Sequence, residues 1–561
     1  MNPPILRVLI GSLFFAGASW LCLPGARGQA ASSPTAPSDG GSTLPVPAAV
    51  AAAPPEPTLG SALVHFRTGQ FDAAISDYNA LLNQPGIDPA ICYAALSQVY
   101  LKQHKVDDAF DAASKALKLA PSYPATQTAM GDVLFRQGKI ADAEKIYISL
   151  IRANTSYARA YYGESLISWV SMYRKQGKQM IDRAYELDPD DPDIWEFYLQ
   201  TLSGDERVTA LQKYLASKTN DDARERDGLQ HELVLLQDDL AHPAHTCRLS
   251  SSVTSMESNL SLLLYDATHM RGVALPVRLN NTTATLQFDT GASGILVDRK
   301  VAEKAGVRKI VDVKIGGIGD KGDADAYIGH VDTIRIGGLE FNDCDVQVID
   351  QNSVVDTQGL IGADVFHDFL VELDMPNRKF RLSQLPPYPD GTAPSPVSLE
   401  SRSSRGSQRV LHNRYIPPEM KSYTAVYRFG HDLVIPTLLN DSRLKLFIID
   451  TGAFGNSISP AAAREVSKLS PDADTKIKGI SGNVKDVYRV DKVRLTFAHL
   501  SQRNEDLVSF DTAHISDDVG VEISGFLGFS TLAMLDMKFD YRDGLVKFDF
   551  NPNIYCRMNC N

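Results

Sequence analysis

The spacing of apolar positions changes character several times along the chain. Val8 to about Leu23 is a nearly continuous apolar stretch behind one basic residue, Arg7. Ala31 to about Pro57 has no period and is rich in Ala, Pro, Ser and Gly, which predicts a flexible linker. From Thr58 the apolar residues recur at helical spacing, as in "FDAAISDYNALL" (Phe71–Leu82). After about Ser250, Val, Ile, Thr and Phe alternate with polar residues between Gly, Asn and Asp turns, which predicts strands. A polar stretch from Pro386 to about Pro418 splits the strand-rich region into two blocks, about Leu262–Leu385 and Lys421–Asn551. The shifts divide the chain into a leader (1–30), a linker (31–57), a helical module (58–220) and a helical connector (221–255). A first β block (256–385), a second linker (386–420) and a second β block (421–561) follow.

Length and composition narrow the class. A chain of 561 residues exceeds one ordinary core, so two to four domains are expected. A net charge of −12 argues against a nucleic-acid or anionic-membrane partner. Gly28 and Ala30 suit cleavage after Ala30, so the leader reads as a signal peptide, with an uncleaved membrane anchor as the alternative. Cys22 follows Leu21, which does not suit a lipoprotein signal. The expected location is therefore outside the cytoplasm, periplasmic or secreted, where disulfides persist. Cleavage would leave five cysteines, an odd number: Cys92, Cys247, Cys344, Cys556 and Cys560. Spacing favours pairing Cys556 with Cys560 in "YCRMNC", while Cys92 sits in a helical pattern as a buried apolar side chain.

The helical region repeats with a period of 34. "KALKLAP" (Lys115–Pro121) and "RAYELDP" (Arg183–Pro189) end in prolines 68 apart, twice that period. Gly131, Ala143 and Tyr147 fill small, small and aromatic slots between them, and Tyr100, Ala109 and Ala116 fill equivalent slots one unit earlier. This pattern resembles the tetratricopeptide repeat (TPR) family over about Thr58–Ser203, reaching at most Asn220, in about four units. The resemblance implies stacked helix pairs that share a core, with a surface for a peptide or protein partner; a bare spacer is the alternative.

The two β blocks carry the same landmarks in the same order. "LQFDTGASG" (Leu286–Gly294) returns 161 positions later as "FIIDTGAFG" (Phe447–Gly455). "KIGGIGDKG" (Lys314–Gly322) corresponds to "KIKGISGNV" (Lys476–Val484), and "GLIGADVF" (Gly359–Phe366) to "GFLGFSTL" (Gly525–Leu532). Gly316 lies 27 residues past Asp289 and Gly479 lies 29 past Asp450; for Gly359 and Gly525 the intervals are 70 and 75. One Asp-Thr-Gly arises by chance in on the order of one chain in ten of this length. Three landmarks at parallel distances do not, so an internal duplication is expected.

That order resembles the aspartic proteases, and in detail their retropepsin-like branch, over nearly all of both blocks. The resemblance implies a multidomain protein: an all-α TPR solenoid followed by an all-β bilobal aspartic protease built from two retropepsin-like halves. It implies that Asp289 and Asp450 form a catalytic dyad and that Thr290 and Thr451 bond across a pseudo-twofold axis. Gly291, Ala292, Gly452 and Ala453 would shape the active loops. Gly316, Gly317, Ile318 and Gly319 would form one flap over the substrate, and Gly479, Ile480, Ser481 and Gly482 the other. The Gly359–Gly362 and Gly525–Gly528 segments would pass close behind the loops. Ala292 and Ala453 stand where pepsin-like enzymes place Ser or Thr, and neither flap offers the tyrosine of pepsin-like flaps.

The chemistry fits two carboxylates. Hydrolysis without a metal or covalent intermediate needs one group to activate water and another to protonate the carbonyl; two carboxyls sharing one proton do both. Which aspartate holds the proton is not readable from sequence. The resulting expectation is an exported aspartic endopeptidase acting on a peptide or protein substrate, without cofactor or metal, with both halves pairing in one monomer. The alternatives are a non-catalytic peptide-holding scaffold, or halves that each pair with another molecule. "HPAHTC" offers His242, His245 and Cys247 as a partial metal site, but solvated histidines on a connector are the favoured reading. No zinc-protease helix motif, nucleophile elbow or phosphate loop is present in the sequence. After the shared Ala the duplicated loops are unequal, with Ser293-Gly294 against Phe454-Gly455.

Overall fold

A computed structural model describes residues 6–8, 57–153, 156–217, 223–242, 247–264, 270–349, 357–390 and 411–550. Most of the leader, nearly all of the first linker, His245, and the Cys556 and Cys560 pair lie outside the described residues. Leu6–Val8 is described as a short strand pairing antiparallel with Ile315–Gly317.

Helices come first, in antiparallel pairs. Leu59–Arg67 pairs with Phe71–Leu81, Pro89–Lys102 with Val106–Leu119, Pro124–Arg136 with Ile140–Arg152, Ala158–Val170 with Arg174–Leu187, and Pro192–Gln200 with Gly204–Ala216. The leading helices starting at Pro124, Ala158 and Pro192 reproduce the period of 34. Proline opens three of the leading helices, where its missing N–H costs nothing. Asp88 and Asp191 cap two of those starts by accepting backbone N–H groups. The small and aromatic slots interlock: a Cβ on Gly131 would stand 2.8 Å from the Tyr147 ring, and one on Gly163 would run into it. The Tyr147 hydroxyl donates to Asp132 Oδ1 at 2.6 Å, so the ring is fixed at both ends.

Two β lobes follow, and they have the same strand order. The first contains β1 (Ser261–Leu264), β2 (Met270–Leu279), β3 (Thr282–Asp289), β4 (Ile295–Asp298), β5 (Arg308–Gly317), β6 (Ala324–Ile336), β7 (Leu339–Ile349) and β8 (Gly359–Gly362). The second contains β9 (Tyr427–Phe429), β10 (Asp432–Leu439), β11 (Arg443–Ile449), β12 (Ser457–Ile458), β13 (Leu469–Pro471), β14 (Val487–Phe497), β15 (Leu500–Phe510) and β16 (Gly525–Leu527). Their sheets run β5-β6-β7-β4-β8-β3-β2-β1 and β13-β14-β15-β12-β16-β11-β10-β9. In each lobe the strand leading into Asp-Thr-Gly-Ala has a parallel neighbour: β8 sets Gly362 opposite Asp289, and β16 sets Leu527 opposite Ile449.

A third sheet joins the lobes. Phe369–Asp374 lies antiparallel to Leu535–Asp540, with Val371 opposite Phe539 and Leu373 opposite Met537, all four buried. Lys538 Nζ adds an ion pair to Glu372 Oε2 at 2.9 Å across the same seam. Ser255–Asn259 and Lys379–Gln384 extend this sheet on one side, Leu545–Phe550 and Thr424–Ala425 on the other.

The helical repeats dock onto the second lobe. Leu446 and Ile448 of β11 share a core with Phe135, Tyr162, Ile181 and Phe197, while Phe447 and Ile449 point into the lobe's own core. Both faces of β11 are therefore covered, which explains the unbroken apolar run "LFII". Arg136 bridges to Asp517, His104 Nδ1 stands 2.6 Å from Asp517 Oδ1, and Glu522 N donates to the Arg136 carbonyl at 2.8 Å. The repeat surface expected to hold a partner is thus partly covered by the chain itself.

The connector is shorter than its expected span of 221–255. Its helix runs Ala223–Ala241, two residues short of Pro243, and Arg248–Leu249 already pairs with β7. Leu235 packs against Val313, Ile315 and Ala326 of β5 and β6. A disulfide joins Cys247 to Cys344, with Cα atoms 4.2 Å apart, fastening the connector's end to β7. This bond removes Cys247 from any metal site. Cys92 is free and buried. No helix among the described residues is long and apolar enough to cross a membrane.

Candidate active site

Asp289 ends β3 and Asp450 follows directly on β11, each entering a tight turn made possible by the next glycine. Gly291 N donates to Asp289 Oδ1 at 2.9 Å, and Gly452 N donates to Asp450 Oδ1 at 2.7 Å. The loops face each other so closely that a Cβ on Gly291 would stand 2.9 Å from Asp450 Cγ, and one on Gly452 would strike the Asp289 carboxyl. Glycine at both places is what lets the carboxyls approach.

The threonines close the arrangement. Thr290 N donates to Thr451 Oγ1 at 3.0 Å and Thr451 N to Thr290 Oγ1 at 2.9 Å. Each hydroxyl then donates onward, Thr290 Oγ1 to Ile449 O at 2.8 Å and Thr451 Oγ1 to Phe288 O at 3.1 Å. Both hydroxyls are buried and fully used, so each lobe's loop is positioned by the other.

Both aspartates are completely buried. Burial, and then the Asp450 charge, push Asp289 well above the ordinary carboxylate range. Burial also raises Asp450, to about 7, against the opposing effects of its hydrogen bond with Asp289 and of the Ala453 and Gly452 N–H groups. Both carboxyls are thus held above the ordinary carboxylate range and titrate as one coupled pair.

The two glycine-rich hairpins meet. One lies between β5 and β6; the other pairs Lys478–Gly479 with Gly482–Asn483. Ser481 N donates to Ile318 O at 3.1 Å, Gly317 N to Ser481 Oγ at 3.2 Å, and Lys321 N to Ser481 O at 2.7 Å. Asp320 adds two contacts, from its N to Asn483 O at 3.2 Å and from Lys485 N to its Oδ2 at 2.8 Å. A Cβ on Gly319 would collide with the Ser481 backbone, and one on Gly479 with the Ile318 carbonyl. Gly316 lies within β5, and Ile318 and Ile480 are both buried.

The backs of the loops differ between lobes. Ser293 Oγ and Gly294 N both donate to Asp364, which follows β8. Its counterpart after β16 is Ser530, whose N donates to Phe454 O at 2.9 Å. Gly362 and Gly528 lie against the carbonyls of Ala292 and Gly455, so the segments behind the loops have no room for a side chain. Asn456 braces the second loop alone, accepting from Gly528 N at 2.9 Å. Sequence reading missed Asp364, Asn456 and the pair His431–Asp432, whose imidazole Nε2 lies 3.3 Å from Gly291 O. A strand-by-strand comparison of the halves is the signal that finds the pair, because the matching positions before β3 hold Arg271 and Gly272. Among the described residues no group of three or more His, Cys, Asp or Glu is placed to hold a metal.

Comparison with known proteins agrees with these two parts. Residues 275–365 match the family model for aspartyl protease, and residues 59–124 and 128–170 match that for tetratricopeptide repeat. The aspartyl protease match covers the first lobe around Asp289 and stops short of Asp450. The chain is also 27% identical over 128 residues to the human RNA polymerase II-associated protein 3 (Homo sapiens). That match covers 23% of this chain and 18% of the relative's length, so the chain spans just under a fifth of it.

Proposed function

We propose that the chain is an exported aspartic endopeptidase whose single site forms between its two β lobes, with Asp289 and Asp450 as the catalytic dyad. The observation that carries this reading is the reciprocal Thr290–Thr451 bonding that holds both carboxyls face to face in one chain. In the reaction, Asp450 takes a proton from the attacking water while Asp289 gives its proton to the scissile carbonyl oxygen. The neutral diol then collapses: Asp450 passes its new proton to the departing nitrogen, and Asp289 recovers one from a diol hydroxyl. The dyad ends with the single proton it began with. Strands of the glycine-rich hairpins would part to admit substrate and close to exclude water. The identical strand orders of the lobes support an internal duplication. The Cys247–Cys344 bond supports an oxidising compartment, and the repeats would recruit substrate or a partner protein.

A second reading, a peptide-holding scaffold without catalysis, draws on the interlocked hairpins and the complete burial of the dyad. Cleavage of labelled casein by the purified chain, with and without pepstatin, separates the two. Pepstatin-sensitive cleavage supports the protease; no cleavage by folded protein between pH 3 and 8 supports the scaffold.

A further inference from the structure

The two active loops do not treat their carboxyls alike. In the second lobe, Ala453 N donates to Asp450 Oδ1 at 3.0 Å, giving that carboxylate two backbone donors with Gly452 N. In the first lobe, the equivalent Ala292 N turns instead to the main-chain oxygen of Asp289 at 3.3 Å, leaving the Asp289 carboxyl with one backbone donor, Gly291 N. The carbonyl of that same Gly291–Ala292 peptide faces His431 Nε2 at 3.3 Å. In a trans peptide the C=O and N–H point in opposite directions, so fixing one fixes the other.

We propose that His431 is a positioning residue that makes the dyad unequal: by donating to Gly291 O it holds the Ala292 N–H away from the Asp289 carboxyl, so that Asp289 keeps the shared proton. A carboxylate with one N–H donor is a less stabilised anion than one with two. Asp432 Oδ1 on β10 lies 3.5 Å from the same Nε2, a longer contact than the 3.3 Å to Gly291 O. Both residues are almost fully buried. Asp289 and Asp450 on the loops and the Tyr541 phenol lie within electrostatic range of Asp432. Arg428 donates to Gly430 O and to Tyr541 O, and the Tyr541 phenol lies within electrostatic range of Asp364, Asp432 and Asp289. His431 belongs to one lobe and acts on the loop of the other, and the first lobe has no His-Asp pair in the matching place. The pseudo-twofold is thus broken by chemistry that the repeated motifs do not contain.

The functional meaning rests on the protease reading, but the geometry does not, and the test separates them. The full chain, labelled with carbon-13 at aspartate carboxyls, is titrated by NMR, with Asp289→Asn and Asp450→Asn spectra assigning the two signals. In wild type, the Asp289 signal is expected to stay at the protonated position to higher pH than that of Asp450; the reverse order overturns the proposal without any His431 variant. In His431→Phe, which cannot donate, the Ala292 N–H is free to turn to Asp289 and the preference for Asp289 is expected to fall by about tenfold, roughly the effect of one charge-assisted hydrogen bond gained by its carboxylate. His431→Gln, which keeps an N–H donor, is expected to restore most of it. An unchanged preference in folded His431→Phe, or equal loss in both variants, overturns the proposal. Casein cleavage run in parallel fails on its own if the protein is not a protease, leaving the carboxyl titration to stand.

Discussion

Thr290 and Thr451 are 161 residues apart in the chain, yet each donates its backbone N–H to the other's hydroxyl, at 3.0 and 2.9 Å. Neither loop is positioned without its counterpart, so the lobes are coupled at the point where the carboxyls meet.

Replacing Thr290 by Val removes a hydroxyl that both accepts from Thr451 N and donates to Ile449 O. Two buried backbone groups lose their partner, at a cost of about 2–4 kcal/mol. Thr290→Ser keeps both bonds. Thermal unfolding is expected to rank wild type and Ser close together with Val well below. Cleavage should follow the same order, and a Val variant as stable and active as Ser would contradict the coupling.

The dyad sets a pH dependence with a definite sign. Burial raises Asp450 to about 7, so below that pH both carboxyls are protonated and no base is available for water. Cleavage is expected to rise between about pH 6 and 8, as Asp450 ionises, and to fall once Asp289, which is also raised, loses its proton. A pH–rate profile of casein cleavage with its maximum near pH 3 would contradict this.

The same shift acts on stability. A carboxyl whose pKa is higher folded than unfolded favours the fold at low pH, and that contribution is lost as pH rises through the folded value. For Asp450 the loss falls between about pH 4 and 7. Asp450→Asn, which does not ionise, is therefore expected to gain on wild type by about 2–4 kcal/mol across that range. Unfolding temperatures at pH 4 and pH 8 measure it; a gap that shrinks with rising pH would oppose the account.

The Cys247–Cys344 bond spans 97 residues and ties the connector to β7. Its removal by reductant, or by the double change Cys247→Ala with Cys344→Ala, is expected to cost about 2–5 kcal/mol. Reductant should then have no further effect on the double variant's unfolding temperature.

Docking of the repeats on the second lobe places nearly buried Arg136 against Asp517. Asp517→Ala leaves that guanidinium without its carboxylate and is expected to destabilise the docked state by about 1–3 kcal/mol. Hydrogen exchange should quicken around 513–522 and 130–137, while strands β5 to β8 keep their protection.

How much of this was legible depended on whether a feature repeats. The period of 34 revealed the helix pairs, because each pair must present the same small and aromatic slots, as Gly131 and Tyr147 do. Asp289 and Asp450 were legible because the same tetrapeptide ends two strands. The disulfide was not, since a separation of 97 carries no local pattern and the fold alone brings Cys247 to Cys344. Nor was the docking: "LFII" reads as any buried strand, and nothing local says that helices cover the Leu446 and Ile448 face. His431, Asp364 and Asn456 differ between the halves, so a search for duplicated motifs passes over them.

The central claim is that one site is completed by both halves of a single chain. It is tested most directly by casein cleavage with wild type, Asp289→Asn and Asp450→Asn, each alone and the two variants mixed in equal amounts after co-refolding. The account predicts cleavage by wild type at monomer mass, none by either variant, and none by the mixture. Cleavage by one variant alone, or its recovery on mixing, would show halves that work independently or pair between chains, and would contradict it.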